Sequence, residues 1–228
     1  MSVSPQFFLH NSRVPATASV IFLHGLGDTG AGWYHGFDEL RKNHVRYIFP
    51  NAPSISVTMN GGFVMPAWYD LKGLGPNTVE DKKGIEASAA KIREIIKTEM
   101  DEHNIPSNRI MLGGFSMGGA LALYTALTHP QQLGGVIALS SYLPLHKAFA
   151  TGEGGISLTA QKCPIFQAHG TSDPMLPFQF GQMSNMLLQN ARKDLNLTTE
   201  FKPYQGMGHQ SCDEEMDDVK TFIDKCLQ

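Results

Sequence analysis

The stretch Gly114-Phe115-Ser116-Met117-Gly118 constrains this chain more than any other. A short apolar run, Ile110-Met111-Leu112, precedes it, and an Ala/Leu-rich run, Ala120-Leu121-Ala122-Leu123, follows. That order is strand, G-x-S-x-G, helix, the setting in which a serine sits on a turn so tight that its neighbours must be small. The bare pattern also occurs in ordinary glycine-rich strand–helix turns, so its flanks carry the argument. In this setting the Ser116 hydroxyl projects above a sheet edge. The N-terminus of the new helix points its dipole and free N–H groups at the same spot.

The rest of the chain alternates strand-like and helix-like runs, which implies an α/β fold with a mainly parallel sheet and helices on both faces. Ser19 to His24 reads as a buried strand leading into a glycine-rich loop, Gly25 to Gly32. Val45 to Phe49 is a second strand, closed by Pro50, and a short aromatic strand is expected around Ala67-Trp68-Tyr69 within the loop-rich stretch Gly61 to Gly75. Thr78 to Asn104 holds a long amphipathic helix, with Ile85, Ala89, Ile92 and Ile96 at helical spacing and a capping box of Thr78 and Asp81. Helices are expected over Met117–Thr128, Phe178–Leu195 and Asp213–Leu227, the last capped by Ser211 with Glu214. Strands are expected over Gly135–Leu139, Ile165–His169 and Thr198–Tyr204. Gly152 to Gly155 reads as a flexible surface loop. With 228 residues, 42% of them hydrophobic, and no linker or repeat, one domain spanning residues 1–228 is expected.

Composition removes several classes of function. A formal net charge of -3 gives no basic field for nucleic acid or anionic lipid. Phe7-Phe8-Leu9 is too short for a signal peptide or membrane span. Cys163, Cys212 and Cys226 are widely spaced, which fits a reducing, cytoplasmic setting better than a disulfide framework and forms no metal pattern. Cys226 does not complete a prenylation box, and no Met-Gly start signals myristoylation. Neither cofactor nor metal is expected.

A serine hydroxyl needs a base. In hydrolases built on this kind of turn the chain order is Ser, then Asp or Glu, then His. Four carboxylates fall between Ser116 and the last histidine. Glu153 lies in a Gly-rich segment unsuited to holding a rigid group, Asp194 near the end of a charged helix, and Glu200 inside a strand. Asp173 follows the strand Ile165–His169 by a few residues, and catalytic groups of parallel sheets gather at such C-terminal edges. His209 is the one histidine after Asp173, in Gly206-Met207-Gly208-His209. The expected triad is therefore Ser116, His209 and Asp173. His24 precedes the serine, so a loop-shaping role is expected for it, and a structural role for His169. The remaining histidines read as surface residues. The backbone amides of Leu26 and Met117 are the expected oxyanion donors.

Together, Phe22-Leu23-His24-Gly25-Leu26-Gly27-Asp28-Thr29-Gly30, Pro50-Asn51-Ala52-Pro53, Met65-Pro66-Ala67-Trp68-Tyr69-Asp70, Gly113 to Ala120, His169-Gly170 with Asp173, and Met207-Gly208-His209 form a specific set. In these segments the chain resembles the acyl-protein thioesterases, of the lysophospholipase/carboxylesterase group of small α/β-hydrolases. The resemblance implies an α/β-hydrolase fold and the same triad. It also implies hydrolysis of thioesters on S-acylated (palmitoylated) cytosolic proteins, with side activity on lysophospholipids and small oxygen esters. Membrane contact would be transient at most, and the protein a monomer or weak homodimer. An acyl channel beside the serine would be partly covered by the loop Leu71–Pro76. Leu71, Leu74, Trp68, Met175 and Leu176 are candidate substrate-binding residues, with ordinary packing the alternative. Two departures stand out: Met117 occupies a position where many relatives carry glutamine, and no cysteine precedes Cys163.

Overall fold

The computed structural model describes residues 6–75, 78–151, 157, 162–191 and 199–228. Seven strands form one sheet in the order β1-β3-β2-β6-β7-β8-β9. They are β1 (Phe7–His10), β2 (Ala18–Leu23), β3 (Val45–Pro50), β6 (Ile110–Phe115), β7 (Gly135–Leu139), β8 (Ile165–Gly170) and β9 (Thr199–Tyr204). β1 runs antiparallel to β3 at one edge, and every other neighbour is parallel. A separate hairpin pairs β4 (Ser54–Val57) with β5 (Phe63–Pro66). The helices are α1 (Gly30–Gly36), α2 (Lys82–Asp101), α3 (Met117–Leu127), α4 (His146–Thr151), α5 (Phe178–Ala191) and α6 (Asp213–Cys226).

The central strands are apolar throughout because both faces are covered. Their side chains still alternate between two cores, as the period of a strand requires. Ile21 and Leu23 of β2, Leu112 of β6 and Val136 of β7 face one core with Ile85, Ala89 and Ile92 of α2 and Leu121 of α3. Val20 and Phe22, Met111, and Ile137 face the other, with Val219, Phe222 and Ile223 of α6. The Trp33 ring of α1 lies 4.6 Å from that of Phe22 between ring centres.

Several local expectations change. Ala67–Tyr69 is not a strand: the Trp68 N–H donates to Met117 Sδ and its carbonyl accepts from Ser88 Oγ, so side chains take the place of a ladder. The strands of this region are β4 and β5 instead. Gly61 and Gly62, both at positive φ, turn the chain between them, and the outward Phe63 (73% exposed) and Val64 (69%) conceal a strand from a burial-based reading. Phe7–His10 is an edge strand, and α1 begins inside the expected glycine loop. There Gly30 lies so close to β3 that a Cβ would stand 2.2 Å from the Phe49 carbonyl oxygen. Neither capping box forms. Asp81 alone caps α2, accepting from Gly84 N at 3.1 Å, while Thr78 Oγ1 accepts from Gly75 N. Cys212 is the N-cap of α6 with no side-chain bond, and Glu214 reaches across to Lys202 of β9. His10 and His129 are buried, not surface residues. The His10 ring stacks on Tyr34 and bonds the Tyr34 carbonyl. The expected Gly152–Gly155 loop, the part of the expected helix Phe178–Leu195 beyond residue 191, Glu153 and Asp194 lie outside the described residues. No helix among the described residues is long and apolar enough to cross a membrane.

Glu215 of α6 is fully buried, and among the described residues neither carboxyl oxygen has a hydrogen-bond partner. Burial, reinforced by the nearby Asp218 carboxylate, pushes its pKa up to about 8. The folded state therefore holds a proton that the unfolded chain releases near its ordinary value of 4.5. Stability from this group is full below that value and falls as pH rises towards 8, by about 1.4 kcal/mol per pH unit. Urea unfolding at pH 6.5, 7.5 and 8.5 should show this loss in the native chain. In Glu215→Gln the loss should be missing, so that the stability difference between the two proteins changes with pH in that direction.

Candidate active site

The turn from β6 to α3 is built from close backbone contacts. A Cβ on Gly114 would lie 2.4 Å from the Gly118 carbonyl carbon, and one on Gly118 would lie 2.2 Å from the Leu23 carbonyl oxygen. Only hydrogen fits at either position. Between them Ser116 takes φ 53°, ψ -120°, a conformation costing a non-glycine residue about 1–3 kcal/mol. The surroundings hold it there. Ser116 N donates to Leu139 O of β7 at 2.9 Å, while Ser116 O accepts from Ala120 N and from Ser141 Oγ.

Two loops from the far half of the sheet meet this serine. The β8 loop carries Asp173 and the β9 loop carries His209. They are laced together by Ser172 N to Met207 O at 3.1 Å, Gly206 N to Thr171 Oγ1 at 2.9 Å and Thr171 N to Tyr204 O at 2.9 Å. Gly170 is required where they cross, because a Cβ there would stand 2.2 Å from Met207 O. The result is a continuous hydrogen-bonded chain. His209 Nε2 lies 3.0 Å from Ser116 Oγ, and His209 Nδ1 lies 2.7 Å from Asp173 Oδ2. The second carboxylate oxygen of Asp173, Oδ1, accepts from the Met175 and Leu176 amides at 2.9 and 2.8 Å. Phe115 packs its ring 4.7 Å from the imidazole. With both carboxylate oxygens engaged, the Nδ1 proton of His209 is directed to Asp173, and Nε2 is left to exchange a proton with the serine.

His169 sits behind this chain. Its Nε2–H donates to Leu176 O at 2.9 Å, and burial lowers its pKa, so it stays neutral and buttresses the Asp173 turn. Gly181 makes room for it, since a Cβ there would lie 2.6 Å from the ring.

His24 is likewise buried, and burial lowers its pKa. Ala52 N donates to its Nε2 at 3.0 Å, which puts the ring proton on Nδ1, and Nδ1 donates to Gly25 O at 2.7 Å. In a trans peptide the N–H points opposite to the C=O. Fixing Gly25 O therefore fixes the direction of the Leu26 N–H. That amide has no backbone acceptor among the described residues, and the next one, Gly27 N, is anchored on Pro66 O at 2.8 Å. Met117 is the first residue of α3, where the backbone N–H has no acceptor within the helix.

A cavity of about 270 Å³ lies beside the segment that follows β7. Leu71, Leu74, Leu143, Phe180, Met183 and Leu187 give it an apolar wall, and Tyr69, Tyr142 and Glu80 add polar groups. The two phenols bond each other at 3.0 Å, and burial pushes Tyr142 up to about 12. Glu80 accepts from Leu145 N, and burial raises its pKa. The chain passes from Leu139, the Ser116 partner, through Ser141 to Tyr142 and Leu143 in the wall. The cavity takes in the candidates Leu71 and Leu74 but not Trp68, Met175 or Leu176. Trp68 is 4% exposed, Leu176 is buried and Met175 is 63% exposed. The sequence reading missed Tyr142, Leu143 and the α5 residues, which local pattern marks only as apolar or helical.

The chain is similar to known proteins over most of its length. The family described as Phospholipase/Carboxylesterase matches residues 5–227. Acyl-protein thioesterase 1 of Mycosarcoma maydis is 40% identical over 95% of this chain and 94% of its own length. Acyl-protein thioesterase 1 homolog 1 of Dictyostelium discoideum is 44% identical over 92% and 91%. Among solved structures, Zea mays acyl-protein thioesterase 2 superposes with a TM-score of 0.85 at 30% identity, covering 97% of this chain and 99% of that one. The mostly parallel sheet with its surrounding helices is the α/β-hydrolase fold, and the chain belongs to the phospholipase/carboxylesterase family.

Proposed function

We propose that this chain is an acyl-protein thioesterase, a serine hydrolase that removes fatty acyl groups from S-acylated cytoplasmic proteins. The observation that carries the reading is the Ser116–His209–Asp173 hydrogen-bonded chain. The apolar cavity, whose wall takes in Tyr142 and Leu143 just after Ser141, and relatives named as acyl-protein thioesterases support the acyl thioester as substrate.

In this mechanism Ser116 Oγ attacks the thioester carbonyl carbon while His209 Nε2 takes its proton. Asp173 holds the tautomer and stabilises the imidazolium. The carbonyl oxygen becomes an oxyanion between the Leu26 and Met117 amides, each such donor contributing about 3–4 kcal/mol to the transition state. The C–S bond then breaks. The thiolate is a good leaving group that departs without prior protonation and then takes the proton from His209 Nε2, leaving the imidazole neutral again. Water, deprotonated by His209, attacks the acyl-enzyme and releases the carboxylic acid and Ser116. The acyl chain lies in the cavity bounded by Leu71 and Leu74.

The same triad cleaves oxygen esters, and the family description includes carboxylesterase, so lysophospholipid or small-ester hydrolysis is the second reading. Matched thioester and oxygen-ester substrates across acyl lengths separate the two. The thioester reading expects higher kcat/KM on long-chain thioesters and depalmitoylation of an S-palmitoylated peptide. A preference for short oxygen esters without depalmitoylation would sink it.

Ser116→Ala should lower kcat by at least about 10⁴-fold and abolish covalent labelling by a fluorophosphonate probe, with the thermal melt intact. Leu74→Trp should fill part of the cavity and cut kcat/KM for a 16-carbon thioester by roughly 10-fold, leaving a 4-carbon substrate unaffected. Equal loss on both chain lengths would remove the cavity from acyl binding.

A further inference from the structure

We infer that Trp68 is a positioning residue that ties together the two halves of the oxyanion site. This rests on the proposed hydrolase reading, in which the Leu26 and Met117 amides are the donors. Those amides belong to different segments, the loop after β2 and the start of α3. An oxyanion site works only if both donors hold their places to a fraction of an ångström as charge develops.

Trp68 bridges the two segments with the polar groups of a single residue. Its indole Nε1–H donates to His24 O at 2.8 Å. Its backbone N–H donates to Met117 Sδ at 3.4 Å. Its carbonyl accepts from Ser88 Oγ, which fastens the bridge to α2. On one side, the indole fixes the peptide plane between His24 and Gly25, and the His24 ring fixes the next plane through Gly25 O. Those two planes together aim the Leu26 N–H. On the other side, the bond to sulfur holds the side chain of the residue whose own amide is the second donor.

The residue type fits the task. An indole N–H donates and cannot accept, so its bond to a carbonyl has one sense and cannot reverse. The ring fills its site, 4% exposed and 5.1 Å from the His24 ring between centres. Trp68 does not border the cavity. Its removal should therefore act on the transition state and leave acyl binding unchanged.

The test uses the full chain with Trp68→Phe, which removes the donor, and with Trp68 replaced by 3-benzothienylalanine, which keeps the ring shape and removes only the N–H. Three quantities are read: kcat/KM on a long-chain thioester, the inhibition constant of a trifluoromethyl ketone carrying the same chain, and that of the corresponding alkyl thioether. The ketone forms an oxyanion on Ser116, and the thioether has no carbonyl. The expected result is a roughly 10-fold loss in kcat/KM, smaller than removal of a donor itself, with a matching loss for the ketone and no change for the thioether. Unchanged ketone binding, or equal weakening of both inhibitors, overturns the inference. If Trp68→Phe fails to fold, the benzothienyl protein decides by the same criteria. A native chain that hydrolyses neither thioesters nor oxygen esters overturns the hydrolase reading and the inference with it. A fully active native chain with an indifferent benzothienyl variant overturns the inference alone.

Discussion

The contact on which the site depends is backbone against backbone where β6 turns into α3. Gly118 abuts the Leu23 and His24 carbonyls at the end of β2, and Gly114 abuts Gly118. No side chain lies between these segments, so their separation is set by van der Waals radii and does not vary with rotamers. That fixed spacing lets the Ser116 hydroxyl, the Met117 amide and the loop after β2 share one small region.

Around this joint, three histidines of similar chemistry do different work. His209 keeps one nitrogen committed to Asp173 and the other to Ser116. His24 and His169 are buried, shifted away from protonation, and spend their protons on carbonyls. Environment divides the roles: a buried ring whose proton is given to a carbonyl is a fixed strut, and a ring with a carboxylate on one side and a hydroxyl on the other can shuttle a proton. Met117 belongs to the same scheme, since its thioether accepts a hydrogen bond from Trp68 and the position presents an acceptor.

Much of the central architecture was legible in the sequence because the parallel strands are nearly continuous apolar runs and the long helix repeats at 3.6 residues. Ser116, His209 and Asp173 could be picked out as candidates as well, since chain order and strand-end placement leave few choices, and the structure brings the three side chains within hydrogen-bond reach. What was hidden has a physical reason in each case. The β4–β5 hairpin points Phe63 and Val64 outward, so it lacks the alternation of a half-buried strand. The expected caps failed because Thr78 and Glu214 find partners elsewhere in the fold. Trp68 was a candidate substrate-binding residue through the family resemblance, whereas its indole N–H meets a carbonyl 44 positions away. Local pattern does not reveal pairings of that range.

The twisted backbone at Ser116 has a further consequence for how such a chain can be altered. Glycine would adopt φ 53°, ψ -120° without the steric cost that serine bears there. Thermal robustness and chemical competence therefore pull this position in opposite directions. A laboratory selection that rewards survival on heating alone would drift towards a sturdier and inert protein, so enrichment for heat tolerance has to be coupled at every round to turnover.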